Sequence, residues 1–160
     1  MTDPETALQS FQQALLCGSI QTQPGQIDPE LHVHFDKPNG NPRITYVRLE
    51  GNTVTAFAEF VPCEPINGRR CWNVGYAVPG NYRNQGRAKE IVIAAVSDLQ
   101  EASAQLGQSV FYLEAIVGVA NKPSQRVAEQ TISDKPVSVT DAVSGLPALQ
   151  YVRKIGPSKS

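Results

Sequence analysis

Apolar residues in this chain follow two different periods. Ile91, Val92, Ala95, Val96, Leu99, Ala102 and Leu106 keep to one side at a spacing of three or four. That predicts a long amphipathic helix beginning near residue 87, which Gly107 stops. A second helix opens the chain. Asp3 stands where a cap belongs, Pro4 suits the first turn, and Glu5 faces the positive end of the dipole. Leu8, Phe11, Leu15 and Leu16 share its face, and Gly18 ends it. Elsewhere the alternation has period two, which predicts strands at 31–36, 43–50, 53–61, 71–78 and 110–119.

Turn chemistry separates these elements. Pro24-Gly25 and Asp28-Pro29 make residues 19–30 a loop, and Gly51-Asn52 reverses the chain. Pro62, Pro65 and Asn67-Gly68 predict a second loop, from 62 to 70. Asn121-Lys122-Pro123-Ser124 opens a short helix over 124–131. Residues 137–143 and 148–155 form a closing hairpin about Ser144-Gly145-Leu146-Pro147, and 156–160 fray. The first strands form an antiparallel meander. The strand at 110–119 follows a helical crossover, so it runs parallel to the one at 71–78. The expectation is one domain over 1–160, an α/β (α+β) fold with a mixed, mostly antiparallel sheet and a parallel central pair flanked by helices.

A chain of 160 residues can bury a core of its own, and its net charge of −1 gives no global field toward nucleic acid or membrane. The local distribution adds more. Five basic residues (Arg69, Arg70, Arg83, Arg87, Lys89) and no acidic ones lie between Pro65 and Lys89, around the strand-to-helix turn. Cys17, Cys63 and Cys71 are an odd number with no zinc-knuckle spacing, which predicts reduced thiols and a cytoplasmic protein. No apolar run is long enough to span a membrane, and the first residues lack a basic segment followed by an apolar one.

The turn itself is the candidate site. Tyr76-Ala77-Val78-Pro79 ends a strand, and Arg83-Asn84-Gln85-Gly86-Arg87-Ala88 leads into the long helix. Free N–H groups and the dipole at a helix start favour an anion, and Gly86 lets a phosphate approach the backbone. G-x-G-x-x-G and G-K-[ST] are both absent, which excludes the dinucleotide and Walker loops. An ordinary left-handed turn would present the same residues.

Arg83-x-x-Gly86-x-Ala88 after that strand end resembles the pyrophosphate loop of the GNAT N-acetyltransferase superfamily, Gln/Arg-x-x-Gly-x-Gly/Ala. Asn121-x-x-Ser124-x-x-Val127-Ala128-Glu129 is similar to the corresponding stretch of the branch that acetylates N-terminal Ser or Ala of ribosomal proteins. Gly75-Tyr76 and Glu90 are similar to the same branch, and the likeness covers roughly residues 43–130. The resemblance implies that central strands splay to admit the pantetheine arm of acetyl-CoA, with Tyr76, Ala77, Val78, Arg83, Asn84, Gln85, Gly86, Arg87, Ala88 and Asn121 holding the coenzyme. It also implies a backbone N–H near Val78 for the oxyanion and Ser124 as acid for the departing thiolate. Helix capping would equally place an Asn and a Ser at 121 and 124.

The chain departs from the family at several positions. The Tyr acid common in GNATs, seven residues after the Asn, is Ala128 here, and Gln130-Thr131-Ile132 replaces a Lys-x-Gly-Phe. The branch's Glu base, two residues before Gly-Tyr, is Asn73. Asn cannot take a proton but can hold a water that passes one on, so Glu59, Glu64 and Glu114 are candidates to finish the relay, with Glu114 the first choice. A helix also precedes the first strand, where the family places a strand before a helical pair. His32-x-His34-x-Asp36 share one strand face, but with no other His in the chain this reads as the exposed face of an edge strand and no metal site is expected.

The reading is therefore an acetyl-CoA-dependent N-acetyltransferase acting by direct attack of a primary amine. The alternative is a catalytically silent module of the same fold that binds acyl-CoA. The acceptor, a small or peptide amine, stays open, as does a homodimer.

Overall fold

The computed structural model describes residues 3–156, so residues 157–160 of the expected frayed end lie outside the described residues. Helix α1, Pro4–Leu16, starts where Asp3 accepts a hydrogen bond from the Thr6 N–H at 3.2 Å, and it buries Ala7, Leu8 and Phe11. Leu16, expected on that face, is 58% exposed. It lies roughly 100° round the helix from the mean direction of Leu8, Phe11 and Leu15.

Strand β1, Gln23–Pro24, falls inside the stretch expected to be loop and pairs with β2, His32–Asp36. The polar anchor for this segment lies far away in sequence. Asp98, buried in the long helix, accepts from the Gln26 N–H at 2.6 Å and from the Tyr46 hydroxyl at 3.1 Å. Strand β3, Arg43–Glu50, matches its alternation, and β4, Thr53–Ile66, follows Gly51-Asn52. The loop expected at Pro62 and Pro65 is strand. Pairing with β3 is registered only up to Phe60, so beyond it β4 faces β5 alone and a missing N–H on its other side breaks no ladder. The reversal is confined to Asn67-Gly68, both at positive φ (52° and 75°), as a tight hairpin into β5, Arg69–Ala77, requires.

Helix α2, Arg87–Gln105, crosses to β6, Phe111–Gly118. It ends before Leu106, which is 77% exposed instead of joining the apolar face, and Gly107 takes φ 75°. Helix α3, Lys122–Thr131, begins two residues earlier than expected, with Pro123 in its first turn. Strands β7, Val137–Thr140, and β8, Pro147–Ile155, form the closing hairpin, with β8 on the inside. The eight strands make one sheet in the order β1-β2-β3-β4-β5-β6-β8-β7. The face covered by α2 holds the larger core, including Phe60, Trp72, Ile91, Leu99 and Tyr151, while α1 closes a smaller core over Val47, Val54, Phe57 and Ala77.

The parallel pair is brief. Strands β5 and β6 pair through Cys71↔Tyr112, Trp72↔Leu113 and Asn73↔Glu114. Beyond that rung β5 stays on β4 to Ala77 and β6 stays on β8 to Gly118, so the sheet forks.

Candidate active site

The fork opens into a cleft of about 1330 Å³ that runs from the α2 N-terminus to the first turn of α3. Of the residues expected to hold a coenzyme, Tyr76 and Ala77 on β5 and Val78 just after it form one wall, and Asn121 lies across the gap at α3. Arg83, Asn84, Gly86, Arg87 and Ala88 edge its mouth. Gln85 does not line the cleft; its side-chain oxygen accepts from Arg87 Nε at 3.1 Å.

Local chemistry explains the loop. Asn84 (φ 61°) and Gly86 (φ 72°) are both left-handed, and Gly86 stands at the N-cap of α2 with no side chain capping the helix. The N–H groups of the first turn therefore lack partners from side chains, and a Cβ at Gly86 would meet nothing within 4 Å. An anion would fit that open, donor-rich corner.

The basic run is divided. Arg69 and Arg70 sit at the hairpin end of β5, roughly 25 Å of strand away from the loop, and Arg70 stacks over Trp72 at 5.2 Å. Only Arg83, Arg87 and Lys89 surround the turn. Arg83 donates to the Val78 carbonyl at 2.9 Å and to Glu5 at 2.6 Å, which ties the loop to α1. Arg126, on α3, adds a cation to the cleft that no motif announced.

At the fork's apex the Asn73 Nδ2 donates to Glu114 Oε1 at 3.0 Å, and Gln150 Nε2 on β8 donates to Glu114 Oε2 at 2.7 Å. Asn73, Glu114 and Gln150 all line the cleft. Nothing local in the sequence marks Gln150; the sheet order alone brings β8 beside β6. Of the other carboxylates, Glu64 is exposed and outside the cleft. Glu59 is 1% exposed between Thr45 and Gly75, its Oε2 has no partner among the described residues, and burial pushes its pKa up to about 7 against the pull of Arg43.

At the other end, Asn121 Oδ1 accepts from the Ser124 N–H at 3.2 Å and caps α3. The Ser124 hydroxyl bonds instead to Tyr76, at 3.1 Å. Ala128, where GNATs commonly carry Tyr, is fully buried.

The His32, His34 and Asp36 face is not the open edge it was expected to be. The His32 ring meets Thr22 at 3.2 Å, His34 Nδ1 donates to the Gln21 carbonyl at 3.0 Å, and Phe11 packs on the His34 ring at 5.9 Å. Asp36 accepts from Arg43 through both Nε and Nη2.

Residues 13–132 match the sequence model of the Acetyltransferase (GNAT) family. The chain belongs to that family. Like its other members, this GNAT enzyme uses acetyl-CoA as the acyl donor. No curated protein sequence matches it. Among solved structures it is similar to a GNAT acetyltransferase from Streptococcus pneumoniae, at 13% identity and a TM-score of 0.55 over 71% of this chain and 67% of that one. It is similar as well to a ribosomal L7/L12 alpha-N-protein acetyltransferase, at 19% identity and a TM-score of 0.52 over 72% of each chain. That enzyme in complex with coenzyme A aligns at 19% identity and a TM-score of 0.51, over 71% of this GNAT chain and 62% of its own. At these identities the likeness establishes the fold alone. No helix among the described residues is long and apolar enough to cross a membrane.

Proposed function

We propose that the chain moves the acetyl group of acetyl-CoA to a primary amine by direct attack, and that the α-amine of a peptide is the acceptor to test first. The observation that carries this reading is the Asn73–Glu114 hydrogen bond at the apex of the fork, in the same cleft as the Gly86 loop. The backbone N–H groups at the start of α2, with Arg87 and Lys89 near them, take the pyrophosphate. The unpaired edges of β5 and β6 flank the pantetheine arm, and Asn121 contacts it.

An alkylammonium must lose a proton before nitrogen can attack. Glu114 is the acceptor of that proton, through a water held by Asn73, and Gln150 fixes the carboxylate's orientation. The free amine then forms the C–N bond, its nitrogen sheds the surplus proton to solvent water, the C–S bond breaks, and the N–H near Val78 steadies the oxyanion between the bond changes. Ser124 hands a proton to the departing thiolate. The branch that acts on ribosomal-protein N-termini is the source of these roles, since Gly75-Tyr76, Asn121 and Ser124 match it.

Thiol release from acetyl-CoA against peptides of differing first residue, polyamines and amino acids tests the reading. Transfer to at least one amine, slowed by Glu114→Gln, is expected. Coenzyme binding with no transfer to any of them would replace the reading with that of a silent acyl-CoA-binding module.

A further inference from the structure

Tyr76 has a single hydroxyl proton, and the structure accounts for it. The phenol donates to the Ser124 carbonyl at 2.7 Å, and a carbonyl oxygen can only accept. The 3.1 Å bond between the two hydroxyls therefore has Ser124 as donor and Tyr76 as acceptor. The proton of Ser124 is thus committed to the phenol, and its lone pairs are left for the cleft. An alcohol is also a much weaker acid than a phenol, so Ser124 is a poor ultimate source of a proton.

Position adds to this. Tyr76 lies three residues beyond the last β5–β6 rung, and its hydroxyl reaches across the fork to the first turn of α3. Both residues line the cleft. The buried Ala128 leaves no hydroxyl at the position where the family's Tyr acid stands. A phenol delivered from β5 occupies the neighbourhood that the missing side chain on α3 would have served.

We infer that Tyr76 is the proton store for the leaving thiolate and that Ser124 is the conduit. This rests on the proposed acetyl transfer. As the C–S bond breaks, the Ser124 hydroxyl turns from the phenol to the thiolate and gives up its proton, and the serine oxygen takes the proton of the Tyr76 phenol, which turns away from the carbonyl. The products are a thiol and a tyrosinate, and the tyrosinate is reprotonated from solvent before the next turnover. Burial pushes the phenol's pKa up to about 12, so it is restored at any working pH. Tyr76 acts through Ser124 and is a positioning and proton-supplying residue.

The test compares Tyr76→Phe, Ser124→Ala and the double variant with the wild type. Assays use a peptide amine as acceptor, or water where no amine turns over, because hydrolysis expels the same thiolate. Each single substitution is expected to lower kcat by on the order of tenfold to a hundredfold with the KM for acetyl-CoA unchanged. The double variant should be no slower than the slower single, within about threefold, because the two residues act as a unit. Site-specific 3-fluorotyrosine at position 76, a more acidic phenol of nearly the same size, should keep activity and move the alkaline limb of kcat to lower pH. Multiplicative losses, or a Tyr76→Phe variant with normal kcat beside a slow Ser124→Ala, would overturn the relay and leave Ser124 acting alone. A normal Ser124→Ala would remove the conduit and the proposed acid together.

Discussion

The side chain of Asn121 accepts the Ser124 N–H at 3.2 Å, so the cap of α3 and the hydroxyl facing Tyr76 belong to different residues. Stability and chemistry can therefore be separated at this helix start. Asn121→Ala should cost about 1 kcal/mol, read as a lower melting temperature. Ser124→Ala removes no cap. It should melt within a degree or two of the wild type while kcat falls by on the order of tenfold to a hundredfold with coenzyme affinity preserved. Equal melting losses in the two variants would mean that the cap is shared.

Gly86 offers a second separation. Its φ of 72° disfavours any side chain, so Gly86→Val should lose roughly 1–2 kcal/mol of stability from backbone strain alone. A coenzyme pyrophosphate seated on that corner adds a further effect, at least tenfold weaker acetyl-CoA binding, or about 1.4 kcal/mol. Calorimetry on the folded variant at low temperature reads the two apart. Unchanged affinity would remove the loop from the coenzyme site.

Glu114→Gln keeps an oxygen for Asn73 but loses the capacity to take a proton. It also places an amide N–H₂ against one of its two amide donors. Its kcat/KM should fall by on the order of a hundredfold near neutral pH, and the alkaline rise should flatten. Glu64→Gln, exposed and away from the cleft, should leave the profile unaltered. Identical profiles for the two variants would point to deprotonation by bulk solvent.

Glu59 predicts a pH dependence of stability. Its folded pKa, pushed up to about 7, exceeds the ordinary carboxylate value, so the folded state holds the proton more tightly than the unfolded chain. Its contribution favours the fold in acid and is lost as pH rises from about 4.5 toward 7, by on the order of 3 kcal/mol in all. Glu59→Gln, neutral at every pH, should show less of that decline and be the more stable protein at pH 8. Denaturant titrations of both proteins at pH 5 and pH 8 give the comparison; parallel changes would exclude Glu59 as the cause.

Much of this was legible because local pattern and tertiary role coincide. Alternation gives β3 its bounds, and the periodicity of α2 matches its buried Ile91, Val92, Ala95, Val96 and Leu99. The Gly86 turn could be found because a left-handed residue at a helix start demands a particular side-chain class. What stayed hidden depends on partners distant in sequence. Pro62 and Pro65 argue against a strand unless β3 is known to have ended. The turn that follows the short β1 is held by Asp98, seventy-two residues on, through the Gln26 N–H. Asn73 stands out in the sequence for what it lacks, whereas its bond to Glu114 comes from the register of two strands separated by a whole helix. Gln150 and the Tyr76–Ser124 contact are likewise products of topology.

The three rungs between β5 and β6 give the molecule an uneven backbone. One leaf, β1 to β5, and the other, β6 with β8 and β7, are each laced internally but share few amide bonds with one another. Hydrogen exchange should therefore resolve them as two cooperative blocks, with the Cys71–Asn73 and Tyr112–Glu114 amides reporting on the joint. A chain-like ligand lying in the fork would add polar contacts to both strand edges at once. Its binding would slow exchange in the two leaves together, so the acyl donor would act as a removable strut as well as a substrate.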